Sequence, residues 1–151
     1  MGAPPSAVWR GDAPKSKGHA MKRSGIINAQ LAGLLAGLGH KDTYMIADAG
    51  MPIPKGVEIV DLAVVGGVPT FRQVMDAIAD ECVFEHYTLA EEIKEANPEL
   101  HAYVQQKLEG VEHDYVPHVE LKRMEADCKF VIRTGEFSPY PNVLLTAACA
   151  F

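Results

Sequence analysis

Two ionisable side chains bracket one short apolar segment of this chain. In "GLGHKDTYMIADAGMPIPKG", residues 37–56, His40 follows a glycine and Asp48 closes the run "TYMIA". Imidazole titrates near neutral pH, so a histidine kept out of the core can give or take a proton at a reacting centre. An aspartate just past the end of a strand stands where open α/β sheets place ligand-contacting groups. The same carboxylate can also serve as a turn cap, and the position alone does not choose between the two.

A second concentration of hydrogen-bonding types lies in "RTGEFSPYPN", residues 133–142, where Arg133, Glu136, Ser138, Tyr140 and Asn142 fall between two apolar strands. That density suits a polyhydroxylated ligand. Turn chemistry accounts for Gly135, Pro139 and Pro141, and accounts less well for Tyr140 and Asn142. Among the other histidines, His86 and His101 have the neighbours of a strand and an exposed helix face and read as structural. His113 and His118 with a cysteine have zinc-ligand types but no characteristic spacing. GxGxxG, GxxxxGK[ST], HExxH and GxSxG are all absent, which removes the common signals for dinucleotides, nucleoside triphosphates, zinc proteolysis and hydrolase serines. "VGGVP", residues 65–69, reads as a tight turn. No spacing here points to a metal site or a nucleotide cofactor.

These side chains need a scaffold, and the periodicity supplies one. Leu31, Leu34, Leu35 and Leu38 follow helical spacing, with Asn28 as N-cap and Gly39 as the stop. "TYMIA" and residues 57–65 read as strands. A helix is expected over 70–81, then a strand from "CVFEHY". "TLAE" has the form of a capping box opening a helix, and Asn97-Pro98 can start the next one at N-cap and N1. A strand near Tyr115, a helical stretch over 119–126, the strand "KFVIR" and a final apolar strand, "VLLTAACAF", complete the pattern. Helices alternating with strands predict a three-layer α/β/α domain around a mixed, largely parallel sheet.

The chain has 151 residues, a mass of 16.4 kDa by composition and a formal charge of -6, enough for one domain with a core of its own. No basic run offers a nucleic-acid surface, and no apolar run is long enough to insert into a membrane. Cys82, Cys128 and Cys149 are odd in number and widely spaced, as in a cytoplasmic protein with reduced thiols. Residues 1–20 are rich in Gly, Pro, Ser and Lys without periodicity, and read as a disordered extension or tag ahead of a domain over 21–151.

Over that domain, "LGHKDT", "DAGMPIPKG", "GVPTF", "LAEEIKEANPEL" and "VIRTGEFSPYPN" occur in the order seen in the D-ribose pyranase family, sugar mutarotases related to the fucose mutarotases, and the chain resembles them over its full length apart from residues 1–20. The resemblance implies a cofactor-independent isomerase that interconverts the pyranose and furanose forms of D-ribose. It implies His40 as proton donor and Asp48, His118, Tyr140, Pro141 and Asn142 as substrate-binding, with Pro141 standing where small residues are more usual. It also implies a ring-like homo-oligomer, decameric in the family, with sites between neighbouring subunits. "DAGMPIPKG" and "SPYPN" resemble the ribose branch more than the fucose branch. On this reading His40 moves protons while Asp48 holds the sugar hydroxyls in register with it. A sugar-binding protein without catalysis is the competing reading, and a histidine-built metal protein the third. Deleting residues 1–20 is expected to leave the melting temperature and activity unchanged, since their composition cannot bury enough apolar area to offset ordering; a large fall in melting temperature places the domain boundary elsewhere.

Overall fold

The computed structural model describes residues 21–151; residues 1–20, assigned above to an extension, lie outside them. Twelve elements follow one another: α1 (Ala29–Ala36), β1 (Thr43–Ala47), β2 (Glu58–Asp61), α2 (Phe71–Glu81), β3 (Phe84–Ala90), α3 (Ile93–Ala96), α4 (Pro98–Lys107), β4 (Glu112–Val116), α5 (His118–Met124), a 3₁₀ turn (Glu125–Asp127), β5 (Phe130–Arg133) and β6 (Val143–Ala147). The sheet order is β2-β5-β1-β6-β3-β4. β2, β5, β1, β3 and β4 all run one way, and β6 alone runs against its neighbours β1 and β3. The sheet is thus mixed and largely parallel, as the alternation of patterns predicts.

Side chains alternate across each strand. Tyr44, Ile46, Tyr87, Leu89, Ile132 and Leu145 pack on one face against α1, α2, α3 and α4, while Met45, Ala47, Val131 and Leu144 pack on the other with Leu121 of α5 and Met51. β6 is buried on both faces, which explains why its sequence is apolar at nearly every position. No helix among the described residues is long and apolar enough to cross a membrane.

The structure departs from the periodicity at four places. "TLAE" opens no helix: Thr88, Leu89 and Ala90 finish β3, in register with Asp114, Tyr115 and Val116 of β4, and the Thr88 hydroxyl donates to Asp114 instead of capping. Ladder bonds on two sides outweigh one local cap. α1 ends at Gly37 rather than Gly39. The expected strand over 57–65 shrinks to Glu58–Asp61, because β5, its partner, ends at Arg133. β6 likewise stops at Ala147, opposite Phe84, where β3 begins.

Two loops at the carboxyl ends of the parallel strands are stitched together. Gly67 N–H donates to Gly135 O at 2.6 Å and Gly135 N–H to Pro69 O at 2.8 Å. A Cβ on Gly135 would lie 2.5 Å from Val68 O and 2.7 Å from Val68 N, so the backbones fit only without one. Gly135→Ala is expected to cost about 1–3 kcal/mol, read as a lower denaturation midpoint with unchanged slope; an unaltered midpoint would show that the loops separate at no cost.

Candidate functional site

Five parallel strands deliver their carboxyl ends to one edge of the sheet, and β6 begins there because it runs in reverse. Asp48 and Asn142 therefore meet although 94 residues separate them. Asn142 is fully buried. Its Oδ1 accepts from Asp48 N–H at 2.9 Å and its Nδ2 donates to Asp48 Oδ2 at 3.1 Å, so a single amide fixes both the backbone and the carboxylate of Asp48. The other carboxylate oxygen, Oδ1, accepts from Gly50 N–H at 2.9 Å. The carboxylate is oriented at both oxygens before any ligand arrives.

Most of the polar residues in the 133–142 loop are used to hold it in place. Arg133 donates to both oxygens of Asp61 and to Ala49 O. Glu136 accepts from Phe71 N–H at the start of α2 and from the hydroxyl and N–H of Ser138. Asn97, the N-cap of α4, donates to Ser138 Oγ and Pro139 O. Tyr140, half-buried against the core, is presented by this scaffolding. Its φ is 63°, a region that costs a non-glycine residue on the order of 1 kcal/mol. Asn142 N–H closes back onto Tyr140 O at 2.8 Å, a three-residue turn whose centre, Pro141, has a fixed φ of the right sign. The backbone irregularity thus aims the Tyr140 ring, which meets the His118 ring edge-on at 5.1 Å between centroids.

His118 opens α5, its N–H donating to both carboxylate oxygens of Glu92. Its Nδ1 is buried without a partner among the described residues. Burial, then the Lys122 ammonium, lowers its pKa, with Glu92 and Asp48 opposing, so the ring is held toward its neutral form. The structure adds two residues that motif reading passes over. His118, Lys122 and Glu125 fall at i, i+4 and i+7 on one face of α5 and the turn after it, with Leu121 anchoring that face to the sheet. Glu125 is fully buried and neither carboxyl oxygen has a hydrogen-bond partner among the described residues; burial pushes its pKa up to about 7, Lys122 opposing and Asp48 adding to the rise. The i, i+4, i+7 spacing was the available signal, hidden in an ordinary amphipathic pattern.

A cleft of about 460 Å³ opens beside Asp48, bordered by Gly50, Phe137 and Pro139, and another of about 590 Å³ lies beside Tyr140, bordered by Glu91, Glu92 and Lys94. Both have the size of small-molecule sites. Asp48, His118, Tyr140, Pro141 and Asn142 are therefore gathered at one edge. His40 is not with them. It precedes β1 while Asp48 follows it, and five strand residues at about 3.3 Å each put roughly 17 Å between the two edges. At its own edge His40 Nε2 lies 2.6 Å from Glu85 Oε2. The remaining histidines have local partners: His101 bonds Tyr115, His113 stacks on Tyr87, and His86 faces Asp114 at 3.5 Å.

Residues 21–150 match the RbsD / FucU transport protein family. A D-ribose pyranase 1 of Rubrobacter xylanophilus is 50% identical over 131 residues, 87% of this chain and 100% of that protein. Among solved structures, RbsD of Bacillus subtilis complexed with D-ribose is 43% identical with a TM-score of 0.84, over 87% of this chain and 100% of the other. A fucose mutarotase of Streptococcus pneumoniae in complex with L-fucose has the same fold at 18% identity and a TM-score of 0.72, over 83% and 95% of the two chains.

The buried Glu125 carboxyl gives stability a specific pH dependence. An unfolded chain releases this proton near 4.5 and the folded protein near 7, so between these values the folded state binds more protons and stability falls as pH rises. The loss is expected to reach at most about 3 kcal/mol by pH 8. Glu125→Gln removes the titration at nearly constant volume and should flatten that limb in denaturation curves taken from pH 4.5 to 8; parallel curves for the two proteins would remove Glu125 as the cause.

Proposed function

The chain belongs to the RbsD / FucU transport protein family, and from that premise we propose that it is a D-ribose pyranase, a cofactor-independent isomerase that opens and recloses the hemiacetal ring of D-ribose. The observation that carries this reading is the preset lip of Asp48, Asn142 and Tyr140, a carboxylate oriented at both oxygens beside an aromatic ring at a cleft of sugar size. Charge-assisted hydrogen bonds from hydroxyls to such a carboxylate need no rearrangement of the protein on binding.

Ring opening requires a proton on the ring oxygen as its bond to the anomeric carbon breaks, and loss of the anomeric hydroxyl proton as the aldehyde forms. Reclosure through the next hydroxyl along the chain reverses both transfers and gives the furanose, with no net change in protons or electrons. His40 is the group assigned to these transfers. Asp48, His118 and Tyr140 hold the sugar, Asn142 contributing through Asp48, with Pro141 shaping the turn between Tyr140 and Asn142.

Since His40 stands at the far edge of its own sheet, a second copy of the chain must supply it to the Asp48 edge. We therefore read the protein as a homo-oligomer, decameric as the resemblance implies, with each site built from two subunits. Val64, Val65, Val68 and Phe137 support this: all four are exposed, Phe137 borders the Asp48 cleft, and its ring lies over Gly66, between Val65 and Val68 in the chain. Large apolar side chains left exposed on one loop and at the rim of a polar cleft fit subunit contact. Three free cysteines fit a role in cytoplasmic ribose degradation.

The shared site predicts complementation. His40→Ala and Asp48→Asn should each lose activity, the first by about 10²–10⁴-fold, while both fold normally by circular dichroism. Dissociated, mixed at equal concentration and reassembled, the two should regain activity at about a quarter of the sites, those with both native residues. Pyranose–furanose exchange of D-ribose followed by NMR line shapes reads the result. No recovery from an assembly that light scattering shows to be mixed would put His40 and Asp48 in separate roles. Parent-level exchange in His40→Ala would leave a sugar-binding protein without catalysis at this histidine.

A further inference from the structure

The His40 edge of the sheet carries two backbone irregularities, and both serve one side-chain pair. Lys41, directly after His40, has a φ of 71° and is held there by Lys41 N–H donating to Ala147 O at 2.9 Å. Asp42 closes the turn from the other side, its Oδ2 accepting from Gly39 N–H at 2.7 Å. On β3 the register with β6 shifts between Phe84, opposite Ala147, and His86, opposite Thr146. Glu85 is the extra residue of that bulge. A bulge re-aims a side chain out of the regular alternation of its strand, and here Glu85 Oε2 ends 2.6 Å from His40 Nε2. Both side chains are only partly exposed, 46% for the histidine and 35% for the glutamate, and no second polar partner among the described residues competes for the ring.

We propose that Glu85 is the positioning residue for His40: its carboxylate accepts the Nε2–H bond, fixes that tautomer, and leaves Nδ1 as the nitrogen that exchanges protons with the sugar. This rests on His40 being the proton-transfer group. In each transfer the Nδ1 lone pair takes a hydroxyl proton, the resulting imidazolium is stabilised by the carboxylate on its other side, and the same proton is returned to a sugar oxygen. Glu85 keeps its charge and its hydrogen bond throughout. A carboxylate in this place sets the tautomer and orientation of a catalytic imidazole without itself taking the proton.

The test uses the assembled protein. In the parent, long-range proton–nitrogen correlation spectra above pH 8 should show His40 protonated on Nε2; protonation mainly on Nδ1 overturns the proposal without any substitution. In Glu85→Gln an amide can donate or accept, so the tautomer preference should be lost. Its kcat for ribose ring exchange should fall about 10–100-fold with KM within about twofold, because the Asp48 edge is untouched. Glu85→Asp, which keeps the carboxylate, should recover part of the loss. A parent-like kcat in Glu85→Gln overturns the role of Glu85 when His40→Ala is inactive; parent-like exchange in His40→Ala overturns the premise about the histidine itself.

Discussion

One buried amide holds the candidate site together. Asn142 bonds both the N–H and the carboxylate of Asp48, and it can do so only because β6 enters the sheet next to β1 in the opposite direction. Around that contact the rest of the edge is arranged. The turn through Pro141 ties Tyr140 to Asn142, Tyr140 meets His118, and the charges of Lys122 and Asp48 act on both His118 and Glu125. An unpaired amide at this depth would cost about 1–3 kcal/mol, so the sheet topology and the site geometry stabilise each other.

The direction of β1 imposes the second constraint. A five-residue strand joins His40 to Asp48 and also keeps them apart, since an extended segment cannot bring its own ends together. Each end has a separate support: Asn142 and Gly50 at one, Glu85 at the other. The protomer therefore holds His40 and Asp48 at opposite edges of its sheet, and under the proposed function chemistry that needs both requires a neighbour.

How much of this was legible in the sequence depended on the range of the interactions involved. Asn28 and Asn97 were readable as helix starts because a cap is a contact over three residues. Asp48 was readable as a ligand-contacting candidate because the end of a strand is a local event. The separation of His40 from Asp48 was also implicit in the "TYMIA" strand, yet closeness in sequence reads as closeness in space unless the strand length is converted to distance. "TLAE" misled because its cap competes with ladders to β4 and β6 that are remote in sequence. Glu125 was illegible: an acidic residue at the end of an amphipathic helix is ordinarily solvated, and only the packing of α5 over the sheet buries it. The bulge at Glu85 was illegible for a similar reason, since a register shift belongs to two strands at once.

β6 is the sixth strand in chain order but lies inside the sheet, between β1 and β3. Take β6 away and the remaining ladders join β2, β5 and β1 in one ribbon and β3 and β4 in another, with none between them. The last of the six strands in chain order is thus the one that unites the sheet, and both ladders it makes span a long stretch of chain. Folding that depends on such distant closure is slow relative to helical domains of the same size. Without residues 143–147 in place, the facing flanks of β1 and β3 would be unpaired strand edges, open to pairing with another chain.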